Sequence, residues 1–188
     1  MTTPPLMARA TESVLAIIDI QDRLLAVMPA DARDEMLRNS RLLIQSAAVL
    51  DIPVLVTEQY PRGLGLTAAS VAEVLPPGAP RIEKTRFSCA GLAAFGEALT
   101  GSARSQIVLA GMEAHVCVLQ SALDLRAAGR EIWVAEDACC SRNPDNRRNA
   151  MERMSAAGVV VASTESVIFE WLRDSRHEQF KAISGLLR

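Results

Sequence analysis

The sequence predicts an α/β fold in which a parallel sheet carries helices on both faces. Three observations predict it. Short runs of Val, Ile and Leu recur without alternation, as strands buried on both faces require. Segments with apolar residues at helical spacing lie between those runs. Strand and helix then alternate along the chain, and the stable packing of that order is a parallel sheet joined by right-handed crossovers.

Residues 13–20 (SVLAIIDI) read as the first strand, an apolar run that ends with an acid. Over residues 32–50, Met36, Leu37, Leu42, Leu43, Ala47 and Leu50 fall at helical spacing, and Asp51 and Pro53 stop the helix. Residues 52–57 (IPVLVT) form the second strand, with a proline at its start where the missing N–H costs little. Residues 58–66 (EQYPRGLGL) are a Gly/Pro loop suited to line a pocket. Residues 81–84 are a short third strand, and 89–99 (CAGLAAFGEAL) a short helix despite two glycines. The fourth strand is 105–110 (SQIVLA), followed by a helix over 113–128 that Gly129 closes. The fifth strand is 131–136 (EIWVAE), followed by a helix that starts at Pro144 and ends before Gly158. Residues 158–163 (GVVVAS) are the sixth strand, and 164–172 and 176–187 the closing helices, with Thr164 and Glu165 expected to help cap the first. Residues 1–10 read as a flexible lead-in. No linker, internal repeat or low-complexity segment divides the chain, so 1–188 is expected to be one domain.

Composition narrows the function. A chain of 188 residues that is 49% hydrophobic and 22% charged is globular and can bury a sizeable core. Its net charge of −2, with no basic run, argues against a nucleic-acid or anionic-membrane surface. No apolar stretch approaches the roughly 20 residues a membrane span needs, and the N-terminus lacks a signal-peptide core. The four cysteines, Cys89, Cys117, Cys139 and Cys140, match no zinc spacing, and only His115 and His177 are available to help. A disulfide between the adjacent Cys139 and Cys140 would be badly strained. A reduced, cytoplasmic protein without cofactor or metal, acting on a small molecule, is the expectation.

In open parallel sheets, sites lie beyond the carboxyl ends of the strands. Asp19 ends the first strand, Lys84 ends the third, and Cys117 follows the fourth. A thiol at the start of a helix faces the positive end of the dipole and free N–H groups, which favour thiolate. The commoner fate of a lone intracellular Cys is plain packing. Asp19, partly desolvated by the apolar run before it, is placed to take the thiol proton. Asp22 is an alternative, but it should point elsewhere if the strand continues. Lys84 can hold both groups as anions, though a solvated surface Lys is the ordinary role. Backbone N–H groups of Glu113 and Cys117 can form an oxyanion hole. Together these groups can perform acyl transfer to water.

The matching pieces are Ile17-Ile18-Asp19-Ile20-Gln21, Lys84-Thr85-Arg86-Phe87-Ser88, residues 111–118 (GMEAHVCV) and Glu136-Asp137-Ala138. In this order they resemble the isochorismatase-like cysteine hydrolases, the superfamily that includes nicotinamidase and N-carbamoylsarcosine amidohydrolase. Residues 58–65 (EQYPRGLG) resemble the subgroup known as isochorismatase-domain-containing hydrolases. The resemblance covers about Ser13 to Leu172. It implies a three-layer αβα, Rossmann-like fold whose six-stranded parallel sheet has the order 3-2-1-4-5-6. It implies Cys117 as the nucleophile of a thioester intermediate, Asp19 as general base and then acid, and Lys84 as their electrostatic partner. A cis peptide at Met112–Glu113 and a homo-oligomer, dimer or larger, are implied as well. Two departures bear on activity. Nicotinamidases carry an Asp-x-His metal motif after the second strand, and here that region is Thr57-Glu58-Gln59-Tyr60, with no His. Isochorismatases that cleave a vinyl ether usually lack the catalytic Cys, so Cys117 points to C–N or ester hydrolysis.

Gln21, Gln59, Tyr60, Phe87 and His115 flank these positions and are candidate substrate-binding residues. Core or subunit packing is the alternative for Tyr60 and Phe87. Arg62 is a candidate for binding a carboxylate or a solvated loop residue. Residues 167–172 offer either core or a contact surface between subunits. The competing functional reading is a catalytically silent ligand-binding or interaction protein that retains the fold. A flavodoxin-like nucleotide binder has no GxGxxG or phosphate loop to support it.

Overall fold

The computed structural model of the chain describes residues 7–187. Its strands are β1 (Ser13–Ile18), β2 (Val54–Gln59), β3 (Arg81–Lys84), β4 (Gln106–Met112), β5 (Glu131–Cys140) and β6 (Val160–Ala162). They form one sheet of order β3-β2-β1-β4-β5-β6, and every pairing is parallel. The helices are α1 (Asp22–Leu25), α2 (Ala30–Val49), α3 (Pro61–Leu64), α4 (Ala69–Ala72), α5 (Ala93–Ser102), α6 (Leu119–Ala127), α7 (Pro144–Ala156), α8 (Thr164–Leu172) and α9 (Phe180–Leu186). A single π-helical turn, Ala114–Val118, joins β4 to α6. The fold is the three-layer α/β arrangement expected from the sequence.

Each strand sorts its side chains by the period of two. From β1, Leu15 and Ile17 face Met36, Leu43, Ile44 and Ala47 of α2 and Val167, Ile168 and Trp171 of α8. Val14, Ala16 and Ile18 face the other layer, with Phe95 of α5, Leu119 and Ala122 of α6, and Met151 and Met154 of α7. All six β1 residues are buried, which is why the run shows no polar alternation.

The strand order reverses at β1, whose neighbours are β2 and β4. Connections therefore diverge there and leave a crevice at the carboxyl ends, the switch point where doubly wound sheets bind ligands. Ile18 and Gly111 are register partners across β1 and β4. Gly111 has φ 126°, and a Cβ on it would lie 2.0 Å from the Ile18 carbonyl oxygen. Only glycine allows the two strands to approach this closely at the lip of the crevice.

Several local expectations are corrected. β1 ends at Ile18, and Asp19 turns left-handed at φ 51°, so the strand does not run on to Ile20. Asp22 is exposed and opens α1. Residues 1–6 of the expected lead-in lie outside the described residues, but residues 7–10 are tied down. Ala8 is buried with its N–H on Glu170, and the Arg9 N–H bonds Gln106. β5 runs four residues further than expected and carries the buried Cys139 and Cys140. Ser163 rather than Thr164 caps α8, accepting the Ser166 N–H. Val167, Ile168, Trp171 and Leu172 are core rather than contact surface. No helix among the described residues is long and apolar enough to cross a membrane.

Candidate active site

Asp19, Lys84 and Cys117 come together beyond the carboxyl ends of β1, β3 and β4. The backbone break at Asp19 aims its carboxylate along the rim. Oδ1 accepts the Thr57 hydroxyl at 2.7 Å, and Oδ2 accepts Lys84 Nζ at 2.6 Å. Thr57 reaches Asp19 because parallel pairing sets it beside Ile18, and its own carbonyl accepts the Asp19 N–H. Nothing in the apolar pattern marked Thr57 as a site residue; the one signal was a polar side chain closing a buried run.

The Lys84 side chain is fully enclosed. Its ammonium donates to Asp19, to Gln59 Oε1 at 2.7 Å, and to the carbonyls of Phe87 at 3.0 Å and Arg86 at 3.3 Å. A buried ammonium is tolerated only when paired and hydrogen-bonded, and these partners meet both needs. Lys84 is thus not a solvated surface lysine.

Cys117 sits in the π-helical turn and is only 5% exposed. The Glu113 carbonyl accepts the N–H groups of Val116 and Val118, passing over that of Cys117 between them. Single π turns inside helices often mark functional positions. The surroundings oppose the thiolate that the start of a helix was expected to favour. Burial, and after it the Asp19 carboxylate, push the Cys117 thiol up to about 12, and Lys84 only partly opposes them. Low dielectric disfavours the anion more than a helix end favours it. Cys117 therefore lies beside Asp19 in surroundings that disfavour its anion.

The remaining candidates separate into braces and walls. Gln21 is buried and spends its amide on the backbone: Nε2 donates to the carbonyls of Gln59 and Gly65, and Oε1 accepts the Gln59 N–H. Gln59 spends its own amide on Lys84 and on the Thr85 carbonyl. Both hold the rim in shape. Tyr60 and Phe87 are more than half exposed, so neither is core. His115 is half-buried, its Nδ1 lying 3.0 Å from Ser141 Oγ. The Glu113 side chain is clamped by Arg142, whose backbone N–H and Nε bond its carboxylate at 3.0 Å each. Burial works against that carboxylate's charge, but the Arg142 bonds outweigh it and hold its pKa below the usual range. The Met112–Glu113 peptide is cis. Ser141 and Arg142, just past β5, were missed by sequence reasoning because they approach the turn only through the β4–β5 pairing.

Beside this cluster, a groove of about 500 Å³ runs along the carboxyl end of β3, touching Tyr60, Arg62, Arg86 and Lys84. It does not reach Asp19 or Cys117. Glu58, in the stretch compared above with a metal motif, is buried, and its Oε1 accepts both the N–H and the hydroxyl of Thr67.

Comparison with known proteins agrees with this fold. The isochorismatase domain model matches residues 13–166. Isochorismatase domain-containing protein 2A of Mus musculus is 35% identical over 180 residues, covering 94% of this chain and 82% of its own length. The solved MAR1 ribonuclease of Caenorhabditis elegans superposes with a TM-score of 0.91 at 34% identity, over 96% of this chain and 92% of that one. YcaC from Pseudomonas aeruginosa, solved with hexane-2,5-diol and covalent acrylamide, gives a TM-score of 0.90 at 26% identity, over 99% and 93%.

Proposed function

The chain belongs to the isochorismatase domain family of hydrolases, and from that premise we propose that it is a cysteine hydrolase of small amides, carbamoyl compounds or esters. The observation that carries this reading is a single one: a buried thiol, carboxylate and ammonium converge on the rim at the sheet's switch point. Cys117 is the nucleophile, Asp19 its base, and Lys84 the group that holds Asp19 in place.

The raised thiol determines the order of events. The Cys117 proton passes to Asp19 as Sγ attacks the substrate carbonyl, so no free thiolate waits in the resting site. Negative charge moves to the carbonyl oxygen, where the backbone N–H groups of Glu113 and Cys117 are proposed to receive it. The intermediate collapses to a thioester, and Asp19 gives its proton to the departing nitrogen or oxygen. Water then attacks the thioester while Asp19 takes its proton, and that proton returns to sulfur as the acid leaves. The total charge of the site is unchanged in each step, because the proton and the negative charge move in opposite senses between Cys117, Asp19 and the substrate, which suits a site where an added isolated charge is costly. No metal has a part in this scheme. Tyr60, Phe87 and His115 are proposed to line the substrate's approach, with Gln21 and Gln59 shaping it. A homo-oligomer working in the cytoplasm completes the reading.

The decisive experiment uses acrylamide, since a structural neighbour carries it covalently, together with a panel of activated amides and esters. Intact-mass spectrometry should find both acrylamide and acyl adducts on Cys117, and Cys117→Ala should lose adducts and turnover with its circular dichroism unchanged. Turnover that survives in Cys117→Ala would sink the proposal. The proton-bound, nearly inaccessible thiol favours one competitor, a ligand-binding protein without turnover. That reading predicts no acyl adduct with any member of the panel. RNA cleavage, which the nematode structure's name attributes to that protein, predicts cleavage of an oligoribonucleotide that Cys117→Ala abolishes.

A further inference from the structure

We propose that Ser121 of α6 is a positioning residue, which latches the turn that cradles the Lys84 ammonium to the helix that begins at Cys117. It thereby sets how the nucleophile stands to its base. This rests on the hydrolase reading above and adds to it a residue that acts only through Lys84.

The reacting groups come from different elements. Asp19 and Lys84 lie at the ends of β1 and β3, whereas Cys117 belongs to the π turn that opens α6. Two side chains, Asp19 and Gln59, and two carbonyls, those of Arg86 and Phe87, accept Lys84 Nζ. The carbonyls reach the ammonium only while the turn after β3 stays closed over it. That turn is pinned at both ends. At its start the Thr85 carbonyl accepts Gln59 Nε2 at 2.8 Å, which ties it to β2. At its end the Cys89 N–H donates to Ser121 Oγ at 3.0 Å, which ties it to α6. Among the described residues, this is the one backbone hydrogen bond from 86–89 to α6. Ser88, next to it, bonds only within the turn, accepting the Ala90 N–H at 3.3 Å.

Ser121 sits one turn beyond Cys117 on the same helix and is fully buried. A serine has no propensity advantage over alanine in a helix interior, and a buried hydroxyl needs partners. Both of its partners belong to Cys89. The oxygen accepts the backbone N–H, and the hydroxyl bears on the thiol. Burial raises that thiol to about 11, and the Ser121 hydroxyl is the largest influence opposing it. Lys84 and Asp19 also act on the Cys89 sulfur, so the latch lies beside the ion pair. Cys89 is itself fully enclosed, and without Ser121 its N–H would be left buried and unpaired. Relieving that cost would open the turn and slacken two of the four bonds to the ammonium. A misplacement of about 1 Å can cost a rate roughly a hundredfold, even from a change that touches no reacting atom.

The test compares wild type with Ser121→Ala, Ser121→Thr, Cys89→Ala and Lys84→Met by two readouts. One is kcat and KM for the best substrate. The other is the proton–nitrogen NMR signal of the lysine ammonium, which is visible when bound acceptors slow its exchange with water. The chain has two lysines, Lys84 and the exposed Lys181. Wild type should show one slowly exchanging signal, and Lys84→Met should lack it. Ser121→Ala should lose or broaden the signal and lower kcat about tenfold or more, with KM held within about twofold. Ser121→Thr keeps the hydroxyl and should restore both. Cys89→Ala keeps the backbone N–H and should lose less than Ser121→Ala. If Ser121→Ala does not fold, Ser121→Cys, which keeps the volume and weakens the acceptor, carries the same expectations. A lower urea midpoint with signal and kcat unchanged makes Ser121 a packing residue and overturns the proposal. So does an equal loss in Cys89→Ala. A signal lost in Ser121→Ala and restored in Ser121→Thr, with no substrate turned over by wild type, supports the latch and overturns the hydrolase.

Discussion

At the residue scale, the Asp19–Lys84–Cys117 cluster makes a signed prediction. Asp19 raises the Cys117 thiol and Lys84 lowers it. Asp19→Asn leaves the effect of burial but removes the raising charge and frees the ammonium, so the thiol should drop. Alkylation near pH 8 should then speed up, while turnover falls by roughly two to four orders of magnitude for want of a base. Lys84→Met should do the opposite to the thiol and slow alkylation. Rate against pH for iodoacetamide, beside turnover of the best substrate, separates the two. An Asp19→Asn variant that loses alkylation and turnover together contradicts the assignment of Asp19 as a base acting on a protonated thiol. That Asp19 and Lys84 lie at the ends of strands and Cys117 after the fourth was readable in the chain. Their protonation was not, because it depends on burial and on neighbours supplied by other segments.

Two predictions belong to the elements. Gly111 lets β4 pass against β1, and Gly111→Ala places a methyl against the Ile18 carbonyl at a φ that L residues avoid. Strain and steric overlap of this kind should cost on the order of 3 kcal/mol, read as a shifted urea midpoint or as loss of soluble protein. The second concerns the turn that carries Cys117. Glu113 is lowered by Arg142 in the folded chain. A carboxyl with a depressed folded pKa contributes stability that is fully present above its unfolded value, about 4.3, and is lost as pH falls through the folded value. Arg142→Met should therefore lower the melting temperature at pH 7, and the gap to wild type should close as pH drops below about 4. A gap that stays constant with pH would show that the clamp contributes packing rather than charge. The sequence pattern located these elements to within a few residues. It did not register the π turn, nor the extension of β5, which comes from pairing with the end of β4.

For the whole molecule, the two faces of the sheet have separate cores, and α8 seals one of them across the chain. Trp171 is buried in that core and donates its indole N–H to Ser13 Oγ at 3.0 Å, tying the last third of the chain to the first strand. Trp171→Ala should cost about 3–5 kcal/mol, measured by equilibrium denaturation. If instead 167–172 were a surface for subunit contact, the same change would alter the sedimentation of the protein and leave its denaturation midpoint nearly unmoved.

The sequence by itself determined the class of fold, because buried strands and amphipathic helices are periodicities of composition that local physics reads directly. It also determined that Asp19 lies at the end of the first apolar run, that Lys84 ends β3 and which thiol follows β4, since those are positions along elements. The tertiary structure alone decided what these residues are chemically. Enclosure raised the Cys117 thiol and set four acceptors around the Lys84 ammonium, and brought Thr57 and Arg142 to groups 38 and 29 residues away in the chain. Gln21 and Gln59 became braces rather than open contacts, and Arg62 and Arg86 were left facing a common groove. Charge, desolvation and hydrogen-bond partnership are properties of a place in three dimensions, and a linear pattern carries them only as far as it specifies who the neighbours are.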